Sequence, residues 1–152
     1  MSVKKVSVSR FELLMDAGLG AQKAGDILIR AFAKSGRYVY IEPTIPSEIS
    51  PPLRSRPALS GVIIRVADFD LTNIGNSTDI MLAAHEIVLD RRLDDEEYHK
   101  NCRIFLDMGD QSSNEDSYER DCKRVSEKGL SVYPFEIFPE AQTIIKSLGG
   151  KG

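Results

Sequence analysis

The chain has 152 residues, 41% hydrophobic and 28% charged, with a formal net charge of −3. That length suits one domain with one substantial core. The slight acidity gives no electrostatic case for nucleic acid or an anionic membrane, and no apolar run nears the roughly 20 residues of a membrane helix.

Residues 1–10, MSVKKVSVSR, carry basic residues without an apolar core, so they read as a flexible tail and not a signal peptide. Residues 11–152 read as a single domain. Phe11–Ala17 is a short, mostly apolar run, as expected of a strand covered on both faces. Gly18 and Gly20 bracket a tight turn. Ala24, Ile27, Leu28, Ala31 and Phe32 then recur at spacings of three and four, which predicts a helix from Ala21 with Gly36 at its C-terminal stop. A strand entering a helix through glycines leaves backbone N–H groups open to an anion.

Tyr38–Glu42 is a second predicted strand. Residues 43–57 hold five of the seven prolines, Pro43, Pro46, Pro51, Pro52 and Pro57. Proline fixes φ and lacks the donor, so this segment is expected to be an extended surface loop and neither a helix nor a central strand. Gly61–Ala67 is the next strand; Asp68–Asn76 is turn-rich, with room for an irregular strand through Leu71–Ile74. Ile80–Ala84 reads as a central strand, His85–Leu89 as a short helix, and Asp90–Glu97 as a solvated charged turn. Arg103–Asp107 is a strand, Gln111–Asn114 supplies caps for a helix over Glu115–Lys128, and Gly129 ends it. Ser131–Glu136 is the last strand. Pro139 suits the first turn of a final helix whose apolar face is Ala141, Ile144, Ile145 and Leu148.

Strands alternating with helices predict an α/β fold: a three-layer, Rossmann-like open sheet, mainly parallel, with helices on both faces. In such sheets ligands sit at the carboxyl edge of the strands. The Gly18–Gly20 turn and the proline loop both leave from that edge, so they are expected to be neighbours.

The chemistry-bearing motifs are few. The turn reads Gly18-Leu19-Gly20-Ala21-Gln22-Lys23, with lysine where a dinucleotide fingerprint needs its third glycine. Glu42 does stand where a ribose-binding acid would. Lys23 in the first helical turn opposes the helix dipole unless an anion is bound there; simple solvation is the plainer reading. No phosphate-binding G-x-x-x-x-G-K-[ST] occurs. His99 and Cys102 have ligand-like spacing but no second pair, and His85-Glu86 is read as structural. The two cysteines, Cys102 and Cys122, cannot supply a four-thiolate iron–sulfur cluster. Cys122 shares a stripe with Tyr118 and Val125, so it reads as a reduced core thiol in a cytoplasmic protein without disulfides. No self-contained catalytic set can be assembled. The loop cluster Ser47, Glu48, Arg54 and Arg56 joins hydroxyl, carboxylate and guanidinium groups on a stiff backbone, which suits a partner surface or a phosphorylated ligand as well as a merely solvated loop.

The order of these motifs resembles a known family. RFELLMDAGLGAQKAGDIL, IPSEISPP and GVIIRVAD are similar to the gamma domain of 2-oxoacid:ferredoxin (acceptor) oxidoreductases. Gly18, Gly20 and Gln22 match a G-x-G-G-Q-G turn, and Ala24-Gly25 an A-G pair. Pro46-Ser47-Glu48 match a P-S-E-x-R-G-G-like loop, and Ile64-Arg65-Val66 a V-R-I-S-like strand. The chain departs in Ala21 for a glycine, in a turn about three residues shorter, and in Pro51-Pro52 for a Gly-Gly pair. The closing GGKG is similar to the point where members continue, so the chain is expected to be either the front of a gamma–alpha fusion or a shortened subunit.

The resemblance implies a non-catalytic, architectural domain. Thiamine diphosphate and iron–sulfur clusters would sit in partner domains, among alpha-, beta- and delta-type subunits, with a homodimer left open. It implies coenzyme A, or an interdomain surface, at Gly18, Gly20, Gln22, Lys23, Ser47, Glu48, Arg54 and Arg56. The alternatives are a stand-alone Rossmann-type nucleotide-binding module, which Glu42 favours and Lys23 opposes, and a small independent hydrolase or transferase. Which 2-oxoacid is used stays open.

Overall fold

The computed structural model describes residues 7–16, 18, 20–45, 59–84, 89, 92–94, 98–107 and 115–149. Six strands, β1 (Val8–Asp16), β2 (Tyr38–Thr44), β3 (Leu59–Ala67), β4 (Thr78–Ala83), β5 (Tyr98–Asp107) and β6 (Ser131–Phe135), form one sheet in the order β2-β3-β1-β4-β5-β6. The helices are α1 (Ala21–Lys34), α2 (Glu115–Glu127) and α3 (Ile137–Ser147), with helical residues also at 92–94.

The sheet is mixed and mostly parallel. β1 pairs in parallel with β4, β4 with β5 and β5 with β6, whereas β3 lies antiparallel to both β1 and β2. β3 is therefore the one described strand that runs against the rest. It enters between the first strand and the second, an arrangement that no local pattern in the sequence announces.

Adjacent residues of β1 point to opposite faces, and each face carries its own core. Leu13 joins Val62, Ile64 and Val66, covered by Ala24, Leu28, Ile29 and Phe32 of α1. Leu14 joins Met81, Ala83, Ile104 and Leu106, together with Leu89, Leu93 and Val125 of α2. The strand covered on both faces is thus borne out. The helical face of α1 is shifted from the expected one, because Ile27 is 67% exposed and Ile29 packs inward. Gly25 is a point of close approach: a Cβ there would lie 2.7 Å from Val62 Cγ1. Only glycine lets α1 sit this near the sheet.

Several expectations change. β1 begins at Val8, so Val8–Arg10 belong to a strand and not to a tail; Arg10 is buried and paired opposite Arg65. Residues 68–77 form bends and loop, with no strand through Leu71–Ile74. They are held by Arg65 Nη1, which donates to the Asn73 carbonyl and Oδ1, and by Arg10 Nη1, which donates to the Gly75 carbonyl. Pro43 lies inside β2, tolerated because β2 is an edge strand. Cys122 is half-buried, and the enclosed thiol is Cys102. Ile144, Ile145 and Leu148 of the last helical segment are exposed and cover no core among the described residues. Among the described residues no helix is long and apolar enough to cross a membrane.

Candidate functional site

The C-terminal end of β1 leads into the glycine turn. Gly18 and Gly20 both take positive φ, 94° and 91°, which an L side chain rarely adopts. Gly20 is the N-cap of α1 without a side-chain cap, and the first turn holds no acidic residue. An α-helix leaves its first four N–H groups without intrahelical acceptors. The start of α1 is thus a donor-rich end, with Ala21 buried and Gln22 and Lys23 exposed.

Gln22 has a different duty. Its side-chain amide donates to the Gly61 carbonyl at 2.7 Å and to the Thr44 carbonyl at 3.4 Å. Those carbonyls stand at the end of β2 and the start of β3, directly paired with each other. One amide therefore fixes the first turn of α1 to both ends of the segment joining β2 and β3. The expected neighbourhood of glycine turn and proline loop holds at these flanks. Ser47, Glu48, Arg54 and Arg56 lie outside the described residues, as do His85 and Glu86.

The topology weighs against a dinucleotide site. In the usual nucleotide-binding order, the strand after the glycine-turn helix lies next to the first strand. Here β3 separates them, so Glu42 pairs with Ile63, and Ile63 in turn with Glu12. The ribose-binding acid is displaced by a full strand spacing from the turn it would serve. The close helix–strand packing that a third glycine would give is provided by Gly25 against Val62.

The most elaborate polar cluster was not legible in the sequence. Glu12, in the middle of β1, accepts from Arg92 Nε at 3.0 Å and Thr78 Oγ1 at 3.0 Å through Oε2, while Arg92 Nη2 stands 3.0 Å from Oε1. The two charged side chains are only 4% and 8% exposed. The Asp90–Glu97 run, expected to be a solvated turn, thus contributes a buried arginine and the fully buried Leu93. Arg124 of α2 pairs with Asp94 at 2.8 Å beside it. A carboxylate in the middle of an apolar run was the available signal, because a buried charge needs a partner. Beneath this cluster Cys102 is pushed up to about 12, by burial first and then by the Glu12 and Asp79 carboxylates. Such a thiol is protonated and inert at neutral pH. His99 is exposed, 3.7 Å from Asp79, and shares no site with the buried Cys102. Among the described residues, no group of three or more His, Cys, Asp or Glu could hold a metal ion.

No family model matches the chain. It is 30% identical over 80 residues to the 2-oxoglutarate oxidoreductase subunit KorA of Mycobacterium tuberculosis; the match spans 53% of this chain and 12% of that subunit. Its fold is similar to a 2-oxoglutarate:ferredoxin oxidoreductase from Magnetococcus marinus, solved with 2-oxoglutarate, coenzyme A and succinyl-CoA bound. That likeness has a TM-score of 0.65 at 20% identity and covers 96% of this chain and 22% of that one. The fold is also similar to the pyruvate oxidoreductase subunit PORC of Thermotoga maritima, with a TM-score of 0.65 at 16% identity over 93% of this chain and 68% of that one. The gamma subunit of a keto/oxoacid ferredoxin oxidoreductase from Geobacter sulfurreducens gives 0.60 at 14%, over 95% and 68%. The resemblance read from the motifs is thus matched by a local sequence likeness to a 2-oxoacid oxidoreductase subunit and by a fold like that of the oxidoreductase gamma subunit.

Proposed function

We propose that the chain serves as the gamma domain of a 2-oxoacid:ferredoxin oxidoreductase, an architectural part of a multi-subunit enzyme that oxidises a 2-oxoacid onto coenzyme A. The supporting observation is that the sequence match and all three fold matches point to one kind of enzyme. Thiamine diphosphate would supply the decarboxylation chemistry and iron–sulfur clusters would carry the electrons. Two cysteines cannot hold a four-thiolate cluster; in this reading the clusters, and thiamine diphosphate with them, belong to alpha-, beta- and delta-type partners.

The chain's own contribution is at the carboxyl edge. The open start of α1 offers N–H donors to a phosphate group of coenzyme A or to an acidic interdomain contact. Lys23 adds charge there, and Arg54 and Arg56 would add it from the proline segment. Gln22 holds that segment's two flanks against the helix. Ser47 and Glu48 belong to the same proposed surface.

Two experiments test this. Native isolation through the chain should bring down a large complex containing thiamine diphosphate and iron. Recovery of the chain alone, with neither, would overturn the reading. Within the assembled complex, Lys23→Ala, Arg54→Ala and Arg56→Ala together should weaken coenzyme A binding or loosen assembly; no change in either would remove the surface from the proposal.

A further inference from the structure

The opposite edge of the sheet holds a cleft that the gamma-domain reading does not use. It lies where β1 begins, β3 ends and the loop before β4 closes over them. Val8, Arg10, Arg65, Gly75–Ser77 and Asp79 line it with His99, around a cavity of about 180 Å³. A water in the liquid takes roughly 30 Å³, so the cleft has room for a polyatomic group.

Arg65 is fixed in place by neutral acceptors. Arg65 Nη1 donates to the Asn73 carbonyl at 3.1 Å and to Asn73 Oδ1 at 2.6 Å. Asn73 Oδ1 also receives the Gly75 N–H at 3.0 Å, so the loop is built around this arginine. Gly75 has φ 76°, and a Cβ there would come within 3.2 Å of Arg65 Nε, so loop backbone packs directly on the guanidinium. Among the described residues no carboxylate pairs with Arg65, and its Nε and Nη2 make no hydrogen bond. Arg10 is buried in the same wall, its Nη1 donating to the Gly75 carbonyl at 3.2 Å.

One acid, Asp79, shares the lining. Asp79 Oδ2 accepts from the Arg10 backbone N–H at 2.8 Å and from Ser9 Oγ at 3.2 Å, and its Oδ1 faces His99 Nε2 at 3.7 Å. The cleft thus presents a held guanidinium fork, with Asn76 and Ser77 as further polar groups beside it. A planar fork with donors to spare is the geometry that recognises oxyanions.

We propose that this cleft binds one oxyanion group, a phosphate or a carboxylate, with Arg65 as its principal donor. The site stands apart from the glycine turn and does not rest on the gamma-domain reading.

The test is titration of the full chain with inorganic phosphate, and separately with acetate, at constant ionic strength made up with chloride. Hydrogen–deuterium exchange is read over residues 72–79 and 18–24. The expected result is saturable protection of 72–79, weakened about tenfold or more in Arg65→Gln and unchanged in Lys23→Ala. Arg65→Lys, which keeps the charge and loses the fork, should fall between. Protection by phosphate but not acetate assigns a phosphate ester; protection by acetate assigns a carboxylate. No saturable protection of the wild type by either anion, or protection confined to 18–24, overturns the proposal without reference to any variant. So does protection of 72–79 that a folded Arg65→Gln retains.

Discussion

Glu12 and Arg92, 80 positions apart, close a two-armed ion pair inside the domain, with both contacts at 3.0 Å. Thr78 supplies a third hydrogen bond to the same carboxylate. The pair ties the middle of the central strand to the short helical stretch after β4, and Arg124–Asp94 continues the tie to α2.

Breaking the pair from one side leaves a buried charge without the countercharge that the pair supplied. Glu12→Ala or Arg92→Ala should each cost about 3–5 kcal/mol of stability. Replacing both with apolar residues of similar volume, as in Glu12→Leu with Arg92→Met, should cost much less than the sum of the single changes. Chemical denaturation of the three variants checks this. Additive losses would mean that the two residues act independently.

Cys102 makes stability depend on pH in the alkaline range. Its folded pKa, about 12, lies above the ordinary thiol value of 9.0. Between these values the unfolded chain has released the proton and the folded chain has not. Stability from this group is constant below the unfolded value, then falls by about 1.4 kcal/mol per pH unit toward the folded one. Cys102→Val should lack that slope; equal slopes in both proteins would contradict it. A thiol reagent at pH 8 should label Cys122 well before Cys102 in the native protein, and both once unfolded.

Gly25→Ala sets two effects against each other. Alanine favours a helix interior by roughly 1 kcal/mol over glycine, whereas its methyl would press within 2.7 Å of Val62 Cγ1. Overpacking typically costs about 1–3 kcal/mol, and valine is stiff, so the clash wins. The variant should be less stable. Adding Val62→Ala should relieve the clash and cost less than the sum of the two single changes. A Gly25→Ala protein at least as stable as the wild type would refute the close approach.

Gln22 is a donor facing two carbonyls. Gln22→Ala should cost about 1 kcal/mol. Gln22→Glu should cost more, since a carboxylate against two acceptors repels both. Faster hydrogen exchange at 21–24 and 59–62 in both variants is the expected signature; unchanged exchange there would refute the tether.

The elements were legible wherever one local rule governs. The Gly18–Gly20 turn, the start of α1 at Ala21, and the positive-φ glycines Gly36 and Gly129 past α1 and α2 all follow from backbone sterics. What escaped depends on distant partners. Nothing near Leu59–Ala67 tells that it runs against its neighbours, because a strand's direction is set by what it pairs with. Val8–Arg10 look like a polar tail until Arg65 and Asp79 stand opposite. Arg92 looks solvated in its own charge run until Glu12 is found across the core. At the candidate site, the turn could be read from its glycines. The role of Gln22 could not, since its acceptors are backbone carbonyls that no side-chain motif records.

The Thr44–Gly61 pairing, clamped by Gln22, joins the two ends of the 46–58 segment at a single point. Loop-closure entropy grows slowly with length, so doubling such a segment costs only about 0.6 kcal/mol. The sheet therefore does not measure what lies between those two residues. Length and sequence there can diverge while the framework beneath keeps its register.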